Sequence, residues 1–125
     1  MLFRSGGYDA KYQEKPTKAP IKHEGAEVKA KGGPHNTVGT IAMARTNNPH
    51  SASAQFFINV SDNSFLNWGD SRGDGSGYAV FGRVVSGMEV VKKIAKLPTG
   101  NRGPLSDVPR DPVVIESATI VHVGH

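Results

Sequence analysis

Apolar positions along this chain fall in short runs separated by Gly, Pro, Asn and Asp, which is the pattern of strands and turns rather than of long helices. Residues 37–44 read as a strand that ends in the turn-like 45–49. Residues 54–60 read as a second strand, by their aromatic and β-branched content, and 78–85 as a third, after a Gly/Asp/Ser loop over 67–77. Residues 112–121 make a last strand, and a further short one is expected around 19–21. Residues 1–36 otherwise show little periodicity. One helix is marked by Ser86 and Glu89, whose spacing is that of a capping box. Met88, Val91, Ile94 and Ala95 follow on one face, with Lys92, Lys93 and Lys96 toward the C-terminus, where cations suit the helix dipole. Pro98 disfavours the helical conformation at Leu97 and stops the helix. Together these elements predict an antiparallel sheet or barrel with one helix capping it. Neighbours on a strand face opposite sides of a sheet, so Phe56 and Phe57 cannot share a face. One packs inside; the other is either covered by a second element or open to a ligand.

Composition narrows the function classes. The chain has 125 residues, enough for one domain, with 37% hydrophobic and 21% charged residues. Its net charge is +4, and the basic residues of the first quarter alternate with Glu, Pro and Thr. That is a solvated strip, without the dense basic stripe and interleaved aromatics of a nucleic-acid binder. There is no cysteine, which excludes disulfides and Cys-ligated metals. The first residues contain no apolar signal-peptide core, and no run approaches the ~20 residues that span a bilayer. A soluble, cytoplasmic protein is expected, or a periplasmic one if an export signal precedes this sequence.

Several motifs fail on chemistry. Counting Asp70 as the first position of a calcium loop puts Arg72 and Phe81 where an acid and a bidentate Glu are wanted. Arg72-Gly73-Asp74 spells an adhesion tripeptide, better read as an ordinary polar loop. Gly73, Gly75 and Gly77 lead into a strand, leaving no helix N-terminus to hold a phosphate. His23, His35, His50, His122 and His125 lack metal-ligand spacing. His122 and His125 sit at the tail, where fraying is the better reading than weak metal binding. No metal or cofactor is implied.

Five ordered blocks carry a family likeness: residues 39–46, 51–59, 63–66, 77–84 and 87–91. In order and spacing they resemble bacterial-type cyclophilins, peptidyl-prolyl cis-trans isomerases, from about Gly6 to Val121. The resemblance implies a mainly β fold, the family's being a closed eight-stranded antiparallel barrel capped by two helices with its substrate groove on the outer face. It implies that Phe56 packs inward and Phe57 floors a proline pocket. Met43, Phe65, Leu66 and Tyr78 would line that pocket. Ala44, Arg45 and Gln55 would position the peptide backbone, and Thr46 would stand by the neighbouring pocket.

The family's arginine lies in a Phe-His-Arg motif upstream of a Phe-Met-x-Gln-Gly-Gly run. Here Gly6 and Gly7 match the end of that run, so Arg4 falls where the pocket glutamine belongs, and no catalytic residue is identified. Residues 6–125 then form a partial isomerase domain, an incomplete barrel lacking the first strands and first helix, behind an unmatched leader over 1–5. The expected partners are proline-containing peptides and unfolded protein clients, with no nucleic acid and no membrane. The open strand edges also invite self-association. The resemblance thus implies an isomerase of reduced activity or, failing catalysis, a proline-peptide binding module or inactive fragment.

Overall fold

A computed structural model describes residues 2–9, 11–72, 75–102 and 105–121. Gly73, Asp74, His122 and His125, which figure in the motifs weighed above, lie outside them. The elements are β1 (Leu2–Ser5), α1 (Gly25–Ala30), β2 (Thr40–Met43), β3 (Phe56–Asn59), a short 3-10 turn (Ser64–Leu66), β4 (Val80–Arg83), α2 (Met88–Ala95), β5 (Thr99–Arg102) and β6 (Leu105–Pro109). All pairings are antiparallel. One sheet runs β1-β3-β2-β4, and β5 and β6 form a separate two-stranded ribbon. The fold is mainly β, as expected, and the sheet does not close into a barrel among the described residues.

The register decides which side chains meet. Ala42 stands opposite Phe57 on β3, and a bulge between Ile41 and Ala42 shifts the β2–β4 pairing so that Ala42 also faces Val80. An extra residue on one strand of a pair does this by skipping a partner; here the skipped residue is Phe81, which is left exposed. Phe57, Ala42 and Val80 therefore form a row on one face, extended by Ala44 in one direction and by Thr40 and Asn59 in the other. All six are buried. Met43 pairs with Phe56 and Ile41 with Ile58, on the opposite face.

Several expectations need correction. The capping box does not form: Gly87, not Ser86, is the N-cap, at φ 88°, and no side chain caps the helix. A left-handed residue there, natural for glycine, turns the chain into the helix one residue later, which leaves Ser86 outside. The helix face is nevertheless as read, with Met88, Val91, Ile94 and Ala95 half-buried and Glu89, Lys92 and Lys93 exposed. The strand over 112–121 is absent. Those residues run extended and exposed, including Val113, Val114, Ile115, Ile120 and Val121, and no described strand pairs with them. Around residues 19–21 only a single bridge forms, Ile21 to Ala52. The leader, in turn, contributes structure: Leu2–Ser5 is β1, paired with β3 along its length.

Candidate functional site

Phe57 lies at the centre of the buried cluster with Ala42, Ala44 and Val80, and Leu66 and Tyr78 pack on it from outside the sheet. The rings of Phe57 and Tyr78 meet edge to face, centroids 5.3 Å apart at 83°, an arrangement in which the positive edge of one ring meets the negative face of the other. Phe57 is only 2% exposed. It is therefore a floor covered by the 3-10 turn and Tyr78, not an open one, and the covered alternative for the outer phenylalanine is what the structure has. Phe56, expected inside, is half-buried, because the sheet does not curl round to enclose its other face.

Arg45 leaves the end of β2 and lays its guanidinium 4.6 Å over the Tyr78 ring. Its Nε and Nη2 both donate to the Gly77 carbonyl, at 3.1 and 2.7 Å, and Nη1 donates to the Thr46 carbonyl at 2.9 Å. The Gly77 oxygen also takes a 2.8 Å bond from His23 Nε2; that nitrogen carries the proton because Nδ1 accepts from the Gly25 amide. Gly77 is irreplaceable on geometry. At φ 59° a Cβ would sit 2.5 Å from the Leu66 carbonyl oxygen and 2.7 Å from the Asn67 carbonyl carbon. Gly77→Ala is expected to cost about 1–3 kcal/mol of stability in backbone strain, read as a fall in the urea midpoint.

The remaining candidates separate from this cluster. Met43 lies on the Phe56 face, where it lines a cavity of about 260 Å³ with Arg45, Ile21, Ala52 and Phe81; sheet alternation keeps it away from Phe57. Gln55 packs beside Gly7 and lines another cavity, of about 380 Å³, between the β1 end and β6, while its carbonyl accepts from the Ala44 amide at 2.8 Å. Thr46 is exposed and bonded to Ser51 through both its amide, 2.9 Å, and its hydroxyl, 2.8 Å. Phe65 is 44% exposed beside Leu66. Thus Ala44, Arg45, Phe57, Leu66 and Tyr78 come together, with Phe65 at the rim, while Met43, Thr46 and Gln55 stand apart.

Sequence reasoning missed what holds the covering turn down. Asn36, Asn59 and Asn63 are buried polar residues linked in one directional network. Asn63 Nδ2 donates to Asn59 Oδ1 at 2.8 Å, and Asn59 Nδ2 donates to Asn36 Oδ1 at 3.0 Å and to the Thr40 hydroxyl at 2.9 Å. That hydroxyl passes its own proton to the Thr37 carbonyl at 2.7 Å. Asn36 Nδ2 then reaches the carbonyls of Leu66, 3.1 Å, and Tyr78, 3.0 Å, and Asn67 Oδ1, 3.2 Å. No buried side-chain nitrogen or oxygen among the described residues lacks a partner. The available signal was the spacing of Asn59 two residues beyond Phe57, which puts a polar side chain on the same buried face.

The loop after the turn closes on itself. Arg72 grips the Asp70 carboxylate and also donates to the Ser64 hydroxyl, at 3.0 Å. The hydrogen bonds from Arg72 hold the Asp70 carboxyl at a pKa of about 2, below its usual range.

Residues 2–120 match the protein family described as cyclophilin type peptidyl-prolyl cis-trans isomerase/CLD. The sequence is 50% identical over 119 residues to peptidyl-prolyl cis-trans isomerase B of Escherichia coli strain K12, covering 95% of this chain and 70% of that protein. It is 53% identical over 123 residues to a peptidyl-prolyl cis-trans isomerase of Acinetobacter baylyi, covering 98% of this chain and 61% of that one. A Streptomyces antibioticus isomerase is 51% identical over 120 residues, covering 96% and 69%. The chain thus spans between 61% and 70% of the length of these three relatives.

Proposed function

The chain belongs to the cyclophilin-type peptidyl-prolyl cis-trans isomerases, and from that premise we propose that it takes proline-containing segments of peptides and unfolded proteins against the rim formed by Phe65, Leu66 and Tyr78. The observation that supports this is the aromatic-aliphatic stack of Tyr78 and Leu66 on Phe57, with a guanidinium laid beside it. Rotation about an Xaa-Pro bond meets a resonance barrier of about 18–20 kcal/mol. Lowering it needs no covalent step. An apolar surface holds the ring, donors hold the flanking carbonyl, and one side of the amide turns. Arg45 and the Ala44 and Gln55 backbone supply polar groups at the edge of the stack. None of the 125 residues stands in a Phe-His-Arg motif, so the donor that the family aims at the prolyl nitrogen, favouring its pyramidal form in the twisted state, has no counterpart identified. Catalysis by these residues is accordingly slower than by the longer relatives.

The test is the cis-trans exchange of an Ala-Pro peptide followed by NMR, beside one longer relative at equal concentration. Slowed but measurable acceleration with peptide-dependent shifts of Leu66 and Tyr78 is the expected result. Turnover within about tenfold of the relative, roughly 1.4 kcal/mol in barrier, would refute the reduced rate. Shifts without acceleration would favour a second reading, binding without catalysis, for which the full engagement of the Arg45 guanidinium with Gly77 and Thr46 speaks. The outer strands β1 and β4 have no further strand on their free edges among the described residues, and we propose self-association through them at high concentration.

A further inference from the structure

Asn36 belongs to no strand or helix, yet it is 1% exposed. Its side chain touches everything that borders the Phe57 cluster from above. Nδ2 is aimed at the carbonyls of Leu66 and Tyr78 and at Asn67 Oδ1, and Oδ1 accepts from Asn59, two residues along β3 from Phe57. The amide can point only one way, because reversing it would set an oxygen against three oxygens. The backbone joins in: the Asn36 amide donates to Asn67 Oδ1 at 2.8 Å, and its carbonyl accepts from the Asn63 amide at 2.9 Å. Floor and walls are thus referenced to one another through a single side chain. Asn59 fixes Asn36 to the sheet, and Asn36 fixes both the turn that carries Leu66 and the strand entry that carries Tyr78.

We propose that Asn36 is a positioning residue of the peptide site, setting the separation of Leu66 and Tyr78 over Phe57; this rests on the isomerase-family reading of that cluster. It makes no contact with the peptide and acts through the two carbonyls it holds. An apolar pocket grips a proline ring by fit, so a wall displaced by about 1 Å weakens binding on the order of 10- to 100-fold.

The experiment compares the intact chain with Asn36→Ala, Asn67→Ser and Val108→Ala. Val108 is a buried residue of β6 outside the cluster, so its truncation lowers stability without touching the walls. Peptide affinity is read by NMR titration with an Ala-Pro peptide, and the turn by emission of Trp68, the chain's single tryptophan, which follows Asn67. The expected result is peptide binding weakened at least about tenfold in Asn36→Ala and Asn67→Ser with a shifted Trp68 emission, while Val108→Ala binds as the intact chain does. Unchanged affinity in folded Asn36→Ala, or losses no larger than in Val108→Ala, would overturn the proposal. Should Asn36→Ala not fold, Asn67→Ser decides between the same two outcomes by itself. If the folded intact chain binds no peptide, the isomerase-site reading fails first and the positioning role falls with it, a result distinct from intact binding that the variants leave untouched.

Discussion

Phe57→Ala is expected to cost about 3–5 kcal/mol of folding stability, enough to leave a domain of ordinary stability, about 5–15 kcal/mol, partly unfolded at room temperature. The ring is 2% exposed and packs on Ala42, Ala44, Val80, Leu66 and Tyr78. Its removal deletes a large apolar side chain and leaves a void that a sheet row of two alanines and a valine cannot collapse to fill. The edge-to-face contact with Tyr78 goes too, worth about 0.5–1.5 kcal/mol beyond area. Urea denaturation followed by circular dichroism measures the loss. A side chain that served only as an open ligand surface would cost little, so a fall under about 1 kcal/mol would return Phe57 to that role. Phe57→Leu, which keeps most of the volume, is the companion variant for peptide binding.

Asn59→Leu is the second large effect. Leucine nearly matches asparagine in volume and would raise apolar burial, so an area argument alone predicts a gain. Polar accounting reverses the sign. The change strands the Asn63 amide, which donates to Asn59, and the Asn36 oxygen, which accepts from it, while the Thr40 hydroxyl loses a donor. A buried polar group left without a partner costs about 1–3 kcal/mol, so two of them give an expected loss of about 2–5 kcal/mol in the same urea assay. The network interpretation also requires non-additivity. Asn63→Ala combined with Asn59→Leu should cost less than the two singly, by about 0.5–3 kcal/mol. Simple additivity would mean that the three asparagines act independently.

The parts of the fold legible in the sequence were those whose side-chain pattern is also their packing pattern. Residues 40–43, 56–59 and 80–83 lie inside the runs read as strands, and α2 buries the face its spacing assigned to it. β1 went unread because four residues carry no period, and its pairing with β3 is a tertiary fact. The β5–β6 ribbon, built of residues such as Thr99, Gly100, Asn101 and Asp107, has little apolar alternation to read. The opposite failure occurs over 112–121, where strong β-forming composition is not enough: a strand is stabilised by cross-strand partners, and the described residues offer it none. In the site, Phe57, Leu66 and Tyr78 followed from the family likeness. Met43 fell away from them because alternation along β2 puts it on the other face, and Asn36 left no signal, since a lone asparagine before a strand looks like any turn residue.

The same asparagine network bears on the order in which the molecule assembles. Its bonds join residues far apart in the chain: Asn36 to Tyr78 spans 42 positions, Asn36 to Asn67 spans 31, and Asn59 to Asn36 spans 23. Each such link repays its loop-closure entropy only after the chain between its ends has been drawn in. The β2–β3 pairing fixes Asn59 and Thr40 beside each other first, and the Leu66 and Tyr78 walls lock on afterwards. The binding face is then a late product of folding, absent from the transition state. Weakening the network speeds unfolding while the rate of folding stays nearly the same.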